Sequence, residues 1–196
     1  DQIEAGTYMV AAAATGGNVL VKNVIPKHLE SIINKLQKVG VMIEEYDDSV
    51  RVCSSGELTG TDVKTMPHPG FPTDMQPQFT TLLTQCAGTS IVTEGVWDNR
   101  FRYVNELARM GARIQVNGTV AMVEGRTRLT AAPVKASDLR AGAAMIIAGL
   151  VAEGTTEIED IHHIERGYDA IEEKLRGLGA DIRKVDEPDV PMKKVI

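Results

Sequence analysis

The chain has 196 residues, a formal net charge of −6, and a composition that is 43% hydrophobic, 24% charged and 4% aromatic. This composition is typical of a globular chain and argues against a general nucleic-acid-binding surface, which needs an excess of basic residues. No apolar run is long enough to span a membrane, and no signal peptide opens the chain. We therefore expect neither nucleic acid nor a membrane as a partner.

Cys53 and Cys86 lack C-x-x-C spacing, and we interpret both as buried thiols of a cytoplasmic protein. The chain begins at Asp1 without a methionine and in the middle of a sequence pattern. We therefore expect it to be a piece of a longer protein.

The first third of the chain predicts two helices, a strand and a hairpin. A helix of small residues over 3–14 ends at Thr15-Gly16-Gly17, and the strand N-V-L-V-K-N-V-I follows. Pro26 begins a second helix, whose apolar residues recur at helical spacing: Leu29, Ile32, Ile33, Leu36 and Val39. The segments V-M-I-E-E-Y and V-R-V-C-S, joined by D-D-S, then predict a hairpin.

The same order recurs in the next unit. We expect its elements, in order, to be a helix over 75–86, a strand over 90–96, a helix over 100–110 and a hairpin over 112–123. The hairpin turn is Asn117-Gly118-Thr119, which also matches a glycosylation sequon. We prefer the turn interpretation, because Asn-Gly between two apolar runs is typical of a two-residue hairpin loop.

A third unit repeats the order with one part missing. Its expected elements are a helix that starts at Asp138 or Leu139 and ends at Ala152, a strand over 155–161, a helix over 165–178 and a last strand over 179–185. The return strand of the hairpin is absent. Either the chain from Asp186 folds back, or a segment outside the chain completes the sheet. Pro188 and Pro191 favour the second alternative, so we expect an open sheet edge here.

Glycines that end the second helices make the repeat measurable. Gly40 and Gly111 are 71 residues apart, and Gly111 and Gly179 are 68 apart. A unit of this length is a small α/β layer rather than a solenoid repeat. We predict one α/β domain over 1–185, with repeats at about 1–67, 68–135 and 136–185 around a pseudo-threefold axis and a tail over 186–196. The more apolar first helix of each unit should be central, and the amphipathic second helix peripheral.

The stretch P-G-F-P-T-D-M-Q-P-Q-F, residues 69–79, places Asp74 at the entrance to the first helix of the second unit. Backbone N–H groups lack partners at such an entrance. In one interpretation Thr73 caps the helix and Asp74 only favours its dipole. In the other, the prolines fix the direction in which the Asp74 carboxylate points. The three prolines favour the second interpretation.

Charged residues recur at matching positions of the second and third units. Asp138 and Arg140 lie at the entrance to the third unit's first helix, as Asp74 does in the second unit. Arg100 and Arg166 lie at the predicted starts of the second helices. A positive charge at a helix start opposes the helix dipole and costs about 0.3–1 kcal/mol of stability. The matched pair favours anion binding, and merely solvated charges are the alternative.

Other motifs are absent or weak. His162 and His163 are adjacent, so they do not share a helix face, and no third residue has metal-ligand spacing. The chain has neither a phosphate-binding P-loop nor a G-x-S-x-G elbow. The residues alone therefore suggest an anionic substrate with a hydroxyl to deprotonate, and no metal site.

At P-G-F-P-T-D-M-Q, V-W-D-N-R-F, S-D-L-R-A and H-I-E-R-G-Y the chain closely resembles the UDP-N-acetylglucosamine enolpyruvyl transferases. The resemblance extends to about Val185. It implies an inside-out α/β barrel-like domain of three βαβαββ-type repeats, the C-terminal one of two similar domains. It also implies transfer of the enolpyruvyl group of phosphoenolpyruvate to the sugar 3-hydroxyl at the start of peptidoglycan synthesis. No metal or organic cofactor is implied.

The resemblance assigns roles by motif position. Asp74 matches the carboxylate that binds the sugar hydroxyl and is proposed as general base, and Val96 matches a contact to the UDP-sugar. Arg166 matches an arginine that holds phosphoenolpyruvate when the cleft closes. Three further charged residues match positions lining the cleft: Arg100, Asp138 and Arg140. Trp97 and Asp98 stand where the family often has Phe and Glu.

The family's mobile Cys (or Asp) loop and a Lys-Asn pair near its N-terminus have no match in this chain. We therefore expect a missing N-terminal domain as the partner, and an inactive chain in its absence. Two alternatives remain open. One is a related transferase with a shikimate-3-phosphate-like acceptor, and the other is a non-catalytic paralogue that binds a nucleotide sugar.

Overall fold

The computed structural model describes residues 1–185 of the chain. Helices and strands alternate through this range. The helices are α1 (Gln2–Ala14), α2 (Glu30–Lys38), α3 (Gln76–Leu83), α4 (Val104–Arg109), α5 (Leu139–Val151), α6 (His162–Glu165) and α7 (Ile171–Gly177). The strands are β1 (Asn18–Lys22), β2 (Met42–Glu45), β3 (Ser49–Cys53), β4 (Val63–Lys64), β5 (Gly88–Thr93), β6 (Arg113–Asn117), β7 (Val120–Gly125), β8 (Pro133–Lys135) and β9 (Glu157–Glu159).

Three of the helices are preceded by a single tighter turn. These 3-10 turns are Pro26–Leu29 before α2, Thr73–Met75 before α3 and Arg100–Tyr103 before α4. The predicted helices over 75–86 and 100–110 are therefore confirmed, with their first or last turns in 3-10 or turn geometry. Such tightening is frequent at helix ends, where the regular hydrogen bonds run out.

Helices α1, α3 and α5 form the centre of the fold and pack against one another pairwise. All eight residues of α3 are buried, and α5 is continuously buried from Ala141 to Ala148. In contrast, α2 buries only Ile32, Ile33 and Leu36. The prediction of central first helices and an amphipathic, peripheral second helix is confirmed for these elements.

Close packing near the start of α3 depends on a glycine in α1. A Cβ atom on Gly6 would lie 2.9 Å from the Sδ atom of Met75 and 2.9 Å from the Cδ1 atom of Ile32. Met75 follows Asp74 directly and is fully buried. Because α1 lacks a side chain here, Met75 packs against it, and this contact fixes the backbone on which Asp74 stands.

The strands form three sheets, in the orders β1-β3-β2, β4-β5-β7-β6 and β8-β9. The predicted hairpins are present: β2 pairs with β3 and β6 with β7, both antiparallel. The turn between β6 and β7 is Gly118-Thr119, so the turn interpretation of Asn117-Gly118-Thr119 is confirmed.

Strands β4 and β8 were not expected from the sequence. They pair in parallel with β5 and β9 respectively. Each therefore carries the chain from the end of one unit into the sheet of the next. Segments of two or three residues are too short to show a period-2 pattern, so sequence periodicity does not reveal them.

The third unit departs from its prediction in two places. The expected helix over 165–178 is two helices, α6 and α7, separated around Ala170, which has φ of 45°. The expected strand over 179–185 does not form. Within residues 1–185, the only strand that pairs with β9 is β8. A lone strand is unstable, because its backbone hydrogen bonds need a neighbour. The predicted tail over 186–196 lies outside the described residues.

The two cysteines differ in burial. Cys86 is fully buried, and burial raises the pKa of its thiol to about 12. Cys53 is only partly buried, so the interpretation of both thiols as buried is wrong for Cys53. Among residues 1–185, no helix is both long and apolar enough to cross a membrane.

Candidate active site

The Asp74 side chain does not act as a helix cap for the turn before α3 or for α3 itself. Pro72 is extended, with φ of −71° and ψ of 137°, and it precedes the Thr73–Met75 turn. No side chain caps this turn, so the interpretation of Thr73 as the cap is wrong. The Asp74 side chain is 41% exposed and makes no capping hydrogen bond to α3.

Two arginines hold the Asp74 carboxylate. Arg100 Nη2 lies 3.0 Å from Oδ1, and Arg140 Nη2 lies 3.1 Å from Oδ2. The arginine side chains are only 19% and 15% exposed. Each carboxylate oxygen therefore has its own cationic donor, and the three side chains fix one another. The Asp74 carboxylate nevertheless stays 41% exposed, so it is accessible to a ligand.

The two arginines come from different units and from similar positions. Arg100 begins the 3-10 turn before α4, directly after Asn99, which has φ of 55°. Arg140 lies in the first turn of α5. The Arg100 Nε atom is buried without a hydrogen-bond partner within residues 1–185. Two guanidiniums that reach one accessible carboxylate from different units suit an anionic ligand.

Asp138 caps α5 and does not pair with an arginine. Its Oδ1 atom accepts the backbone N–H groups of Arg140 and Ala141, each at 2.9 Å. This cap satisfies donors that the helix start leaves unpaired. Asp138 therefore fixes the position from which the Arg140 side chain reaches Asp74.

A buried carboxylate that the sequence did not single out organises the neighbouring loop. Glu94 is 3% exposed and follows β5. Its Oε1 atom accepts the Thr65 hydroxyl at 2.6 Å, and its Oε2 atom accepts the Thr73 hydroxyl at 3.0 Å. Oε1 also accepts the backbone N–H groups of Val96 at 2.9 Å and Trp97 at 3.2 Å. A single carboxylate thus connects the residue before Asp74 to the loop that carries Val96.

Gly95 allows this loop to lie against the backbone of Thr65, which directly follows β4. A Cβ atom on Gly95 would lie 2.5 Å from the backbone oxygen of Thr65. The loop presents Val96 and Trp97 outward, with 42% and 59% of their surface exposed. Exposed apolar side chains beside an ionic cluster are typical of a ligand-binding surface rather than of a core.

Hydrogen bonds link Arg140 to all three units. Arg140 Nη1 lies 3.3 Å from the hydroxyl of Tyr168, which is 2.9 Å from Thr7 Oγ1 in α1. Gln78 Nε2 in α3 donates to Thr7 Oγ1 at 3.2 Å. Sequence reasoning missed Tyr168, Thr7 and Gln78. Tyr168 ends the motif H-I-E-R-G-Y, which was a usable signal, whereas Thr7 and Gln78 carried none.

Arg166 makes no hydrogen bond or ion pair with Asp74, Arg100 or Arg140. It is exposed at the end of α6, not at the start of a helix, so the matched position with Arg100 predicted from the sequence is wrong. Within residues 1–185 its guanidinium has no hydrogen bond or ion pair. Tyr168, two residues later, contacts Arg140, which keeps this segment close to the site. No group of three or more His, Cys, Asp or Glu side chains suited to a metal occurs in the same range.

A sequence model of EPSP synthase (3-phosphoshikimate 1-carboxyvinyltransferase) matches residues 1–175. The chain belongs to the enolpyruvyl transferase family. It is 61% identical over 187 residues to UDP-N-acetylglucosamine 1-carboxyvinyltransferase 3 of Caldanaerobacter subterraneus subsp. tengcongensis, which covers 95% of this chain and 45% of that protein. It is 57% identical to UDP-N-acetylglucosamine 1-carboxyvinyltransferase of Desulfofundulus thermocisternus, covering 93% of this chain and 75% of that protein.

Solved enolpyruvyl transferase structures share the fold. The enolpyruvyl transferase NikO from Streptomyces tendae matches 93% of this chain and 44% of that chain, with a TM-score of 0.85 and 29% identity. EPSP synthase from Acinetobacter baumannii matches 86% of this chain and 43% of that chain, with a TM-score of 0.63 and 20% identity. The α/β fold class is confirmed, and the chain spans about half the length of most relatives it matches.

Replacing Glu94 tests the anchoring of the loop. Glu94→Ala leaves the Thr65 and Thr73 hydroxyls and two backbone N–H groups without their acceptor. We expect the free energy of unfolding to fall by about 2–4 kcal/mol, measured by urea denaturation. Glu44→Ala, an exposed acid on β2, is the control and should change it by less than about 0.5 kcal/mol. A loss below about 1 kcal/mol for Glu94→Ala would contradict the anchoring role.

Proposed function

We propose that the protein containing this chain transfers the enolpyruvyl group of phosphoenolpyruvate to the 3-hydroxyl of UDP-N-acetylglucosamine and releases phosphate. The observation that carries the proposal is the Asp74 carboxylate, held between Arg100 and Arg140 at the entrance to a central helix. The names of relatives at 57–61% identity support this acceptor over a shikimate phosphate. The reaction would commit the sugar to peptidoglycan synthesis in the cytoplasm.

The proposed chemistry is addition followed by elimination. A proton adds to the methylene carbon of phosphoenolpyruvate, which makes C2 electrophilic. The sugar hydroxyl oxygen bonds to C2 and loses its proton, giving a tetrahedral intermediate. The C2–O bond to phosphate then breaks, and a proton leaves the methyl group to restore the double bond. The products are the enol ether of the sugar and inorganic phosphate.

In this proposal Asp74 receives the proton of the sugar hydroxyl. A carboxylate is a weak base for a free sugar hydroxyl. The hydroxyl becomes acidic as its oxygen bonds to C2, so the proton transfers late, when a carboxylate suffices. The Asp74 Oδ atoms now bind the two arginines. The substrate would therefore have to share or replace one of these contacts.

The arginines would bind the charges of the substrates. Arg100 and Arg140 lie beside Asp74 and would stabilise the carboxylate and phosphate charges as they shift during the reaction. Arg166 is exposed and unpaired within residues 1–185, so it is available to bind phosphoenolpyruvate. Asp138 positions Arg140 through the helix cap, and exposed Val96 would contact the nucleotide sugar. We propose no metal or organic cofactor.

A second domain is part of the proposal. The chain covers 45% of the Caldanaerobacter relative, and the proposed chemistry also needs an acid that protonates the methylene carbon. The site is open, because the Asp74 side chain is 41% exposed. We propose that an N-terminal domain of the same protein closes over this face and contributes that acid.

The choice of acceptor is tested with the full-length protein. We expect UDP-N-acetylglucosamine with phosphoenolpyruvate to give phosphate release, and shikimate-3-phosphate to give none. Coupled phosphate assays with each acceptor are the measurement, and thermal shifts with each acceptor are the binding control. Release with shikimate-3-phosphate alone would contradict the proposed acceptor. Binding of UDP-N-acetylglucosamine without any release would indicate a non-catalytic paralogue instead.

The role of Asp74 is tested by Asp74→Asn in the full-length protein. The amide keeps the shape and cannot take the hydroxyl proton, so kcat should fall by about 10²–10⁴-fold. Asp47→Asn, in the exposed turn between β2 and β3, is the control and should leave kcat unchanged. Steady-state phosphate release measures both. A kcat for Asp74→Asn within about tenfold of wild type would contradict a general-base role.

The isolated 196-residue chain should release no phosphate with both substrates present. The physical reason is that half of the proposed cleft is absent, so neither the acid nor the enclosing surface is supplied. A phosphate assay on the purified chain, after circular dichroism has verified folding, is the measurement. The full-length protein at the same concentration is the control. Turnover by the folded chain would overturn the proposed two-domain site.

A further inference from the structure

Five side chains and one backbone oxygen form a closed ring of hydrogen bonds that begins and ends at Asp74. The ring passes from Asp74 Oδ2 through Arg140, Tyr168, Thr7 and Gln78, and returns to the backbone oxygen of Asp74. Thr7 belongs to the first unit, Asp74 and Gln78 to the second, and Arg140 and Tyr168 to the third. The ring therefore exists only when the three units are packed together.

The directions of these hydrogen bonds follow from the number of protons available. Thr7 Oγ1 donates its only proton to the backbone oxygen of Ile3, at 2.8 Å. Thr7 must therefore accept from Tyr168, whose hydroxyl proton points at Thr7 Oγ1 over 2.9 Å. The lone pairs of the Tyr168 oxygen are then left for Arg140 Nη1, which lies 3.3 Å away, and for Gln78 Nε2 at 3.5 Å. The phenol can act toward Arg140 only as an acceptor.

The Arg140 guanidinium is thus held from two sides. Tyr168 accepts from Nη1, and Asp74 accepts from Nη2 at 3.1 Å. Tyr168 is only 2% exposed and packs in a cluster with Ile164 and Ile171, so its oxygen cannot move far. A planar guanidinium with two fixed acceptors has little freedom left. Its orientation toward Asp74 is set by the buried phenol.

The other half of the ring fixes the Asp74 backbone. Gln78 Nε2 donates to the Asp74 backbone oxygen at 2.9 Å and to Thr7 Oγ1 at 3.2 Å. Gln78 is fully buried. Thr7 therefore connects to Asp74 by both routes, through Gln78 to its backbone and through Tyr168 and Arg140 to its carboxylate.

We propose that Tyr168 is a positioning residue, and that the ring it closes with Thr7 and Gln78 sets the angle at which Arg140 and Asp74 present themselves to substrate. This inference rests on the proposed function for its kinetic consequences. The ring geometry itself does not depend on that function. The two can therefore be tested separately.

The kinetic test uses the full-length protein with Tyr168→Phe, which keeps the buried ring and removes the hydroxyl. We expect kcat/KM to fall by about 10- to 100-fold, because small misplacements of charged groups at a reacting centre are costly. The matched control is Tyr103→Phe. Tyr103 is equally buried and donates to Gln76 Oε1 at 2.6 Å, but its hydroxyl makes no hydrogen bond to Asp74, Arg100 or Arg140. It should lose thermal stability to a similar degree and keep kcat/KM within about twofold.

Substitutions at Thr7 provide an independent test of the ring. Thr7→Val keeps the shape and removes the acceptor for the Tyr168 proton, so we expect a loss of kcat/KM like that of Tyr168→Phe. Thr7→Ser restores the hydroxyl and should recover most of that loss. In an Arg140→Lys background, Tyr168→Phe should have little further effect, because Lys cannot reach both acceptors. Equal losses in both backgrounds would overturn the proposal.

A crystal structure of full-length Tyr168→Phe provides a test that needs no activity. We expect the Arg140 side chain to turn away, so that its Nη2 no longer lies within 3.5 Å of Asp74 Oδ2. If the wild type releases no phosphate with any acceptor, the proposed function is wrong. The crystal structure of the variant then tests the positioning role of the ring without any activity. An unchanged Arg140 in the variant, or kinetics equal to those of Tyr103→Phe, would overturn the positioning role.

Discussion

The carboxylate of Asp74 is shared between two arginines that belong to different units of the chain, and the geometry of the site depends on this sharing. Arg100 is 26 residues away in sequence and Arg140 is 66 residues away. Both reach the same side chain because the entrances of α3, α4 and α5 lie at one end of the fold. A carboxylate that is 41% exposed between two largely buried guanidiniums fits a role in binding and chemistry.

Two buried polar side chains hold the residues around this site in place. Glu94 fixes Thr73 and the Val96 loop on one side, and Tyr168 fixes Arg140 on the other. Both work through hydrogen bonds in places where water is largely excluded, which makes each bond directional and each loss costly. The exposed residues of the site are therefore held in position by buried polar side chains.

The sequence located much of the fold and one half of the site. Helix periodicity, the glycine stops and the Asn117-Gly118 turn predicted the elements of the first two units, because these signals are local. The bounds of the three repeats stay a prediction. The helix expected over 165–178 failed because Ala170 adopts φ of 45°, which side-chain patterns do not reveal. The same break moved Arg166 away from the start of a helix.

By itself the sequence determined that Asp74 opens a central helix, since prolines, a turn and an apolar run are readable from neighbouring residues. Only the tertiary structure decided what Asp74 contacts. The ring that returns to it joins Thr7 to Tyr168 across 161 residues. Such contacts depend on how α1, α3 and α5 pack, and the small residues that permit this packing carry no information about which polar groups will meet. The identities of the charged residues were predictable, and their partners were not.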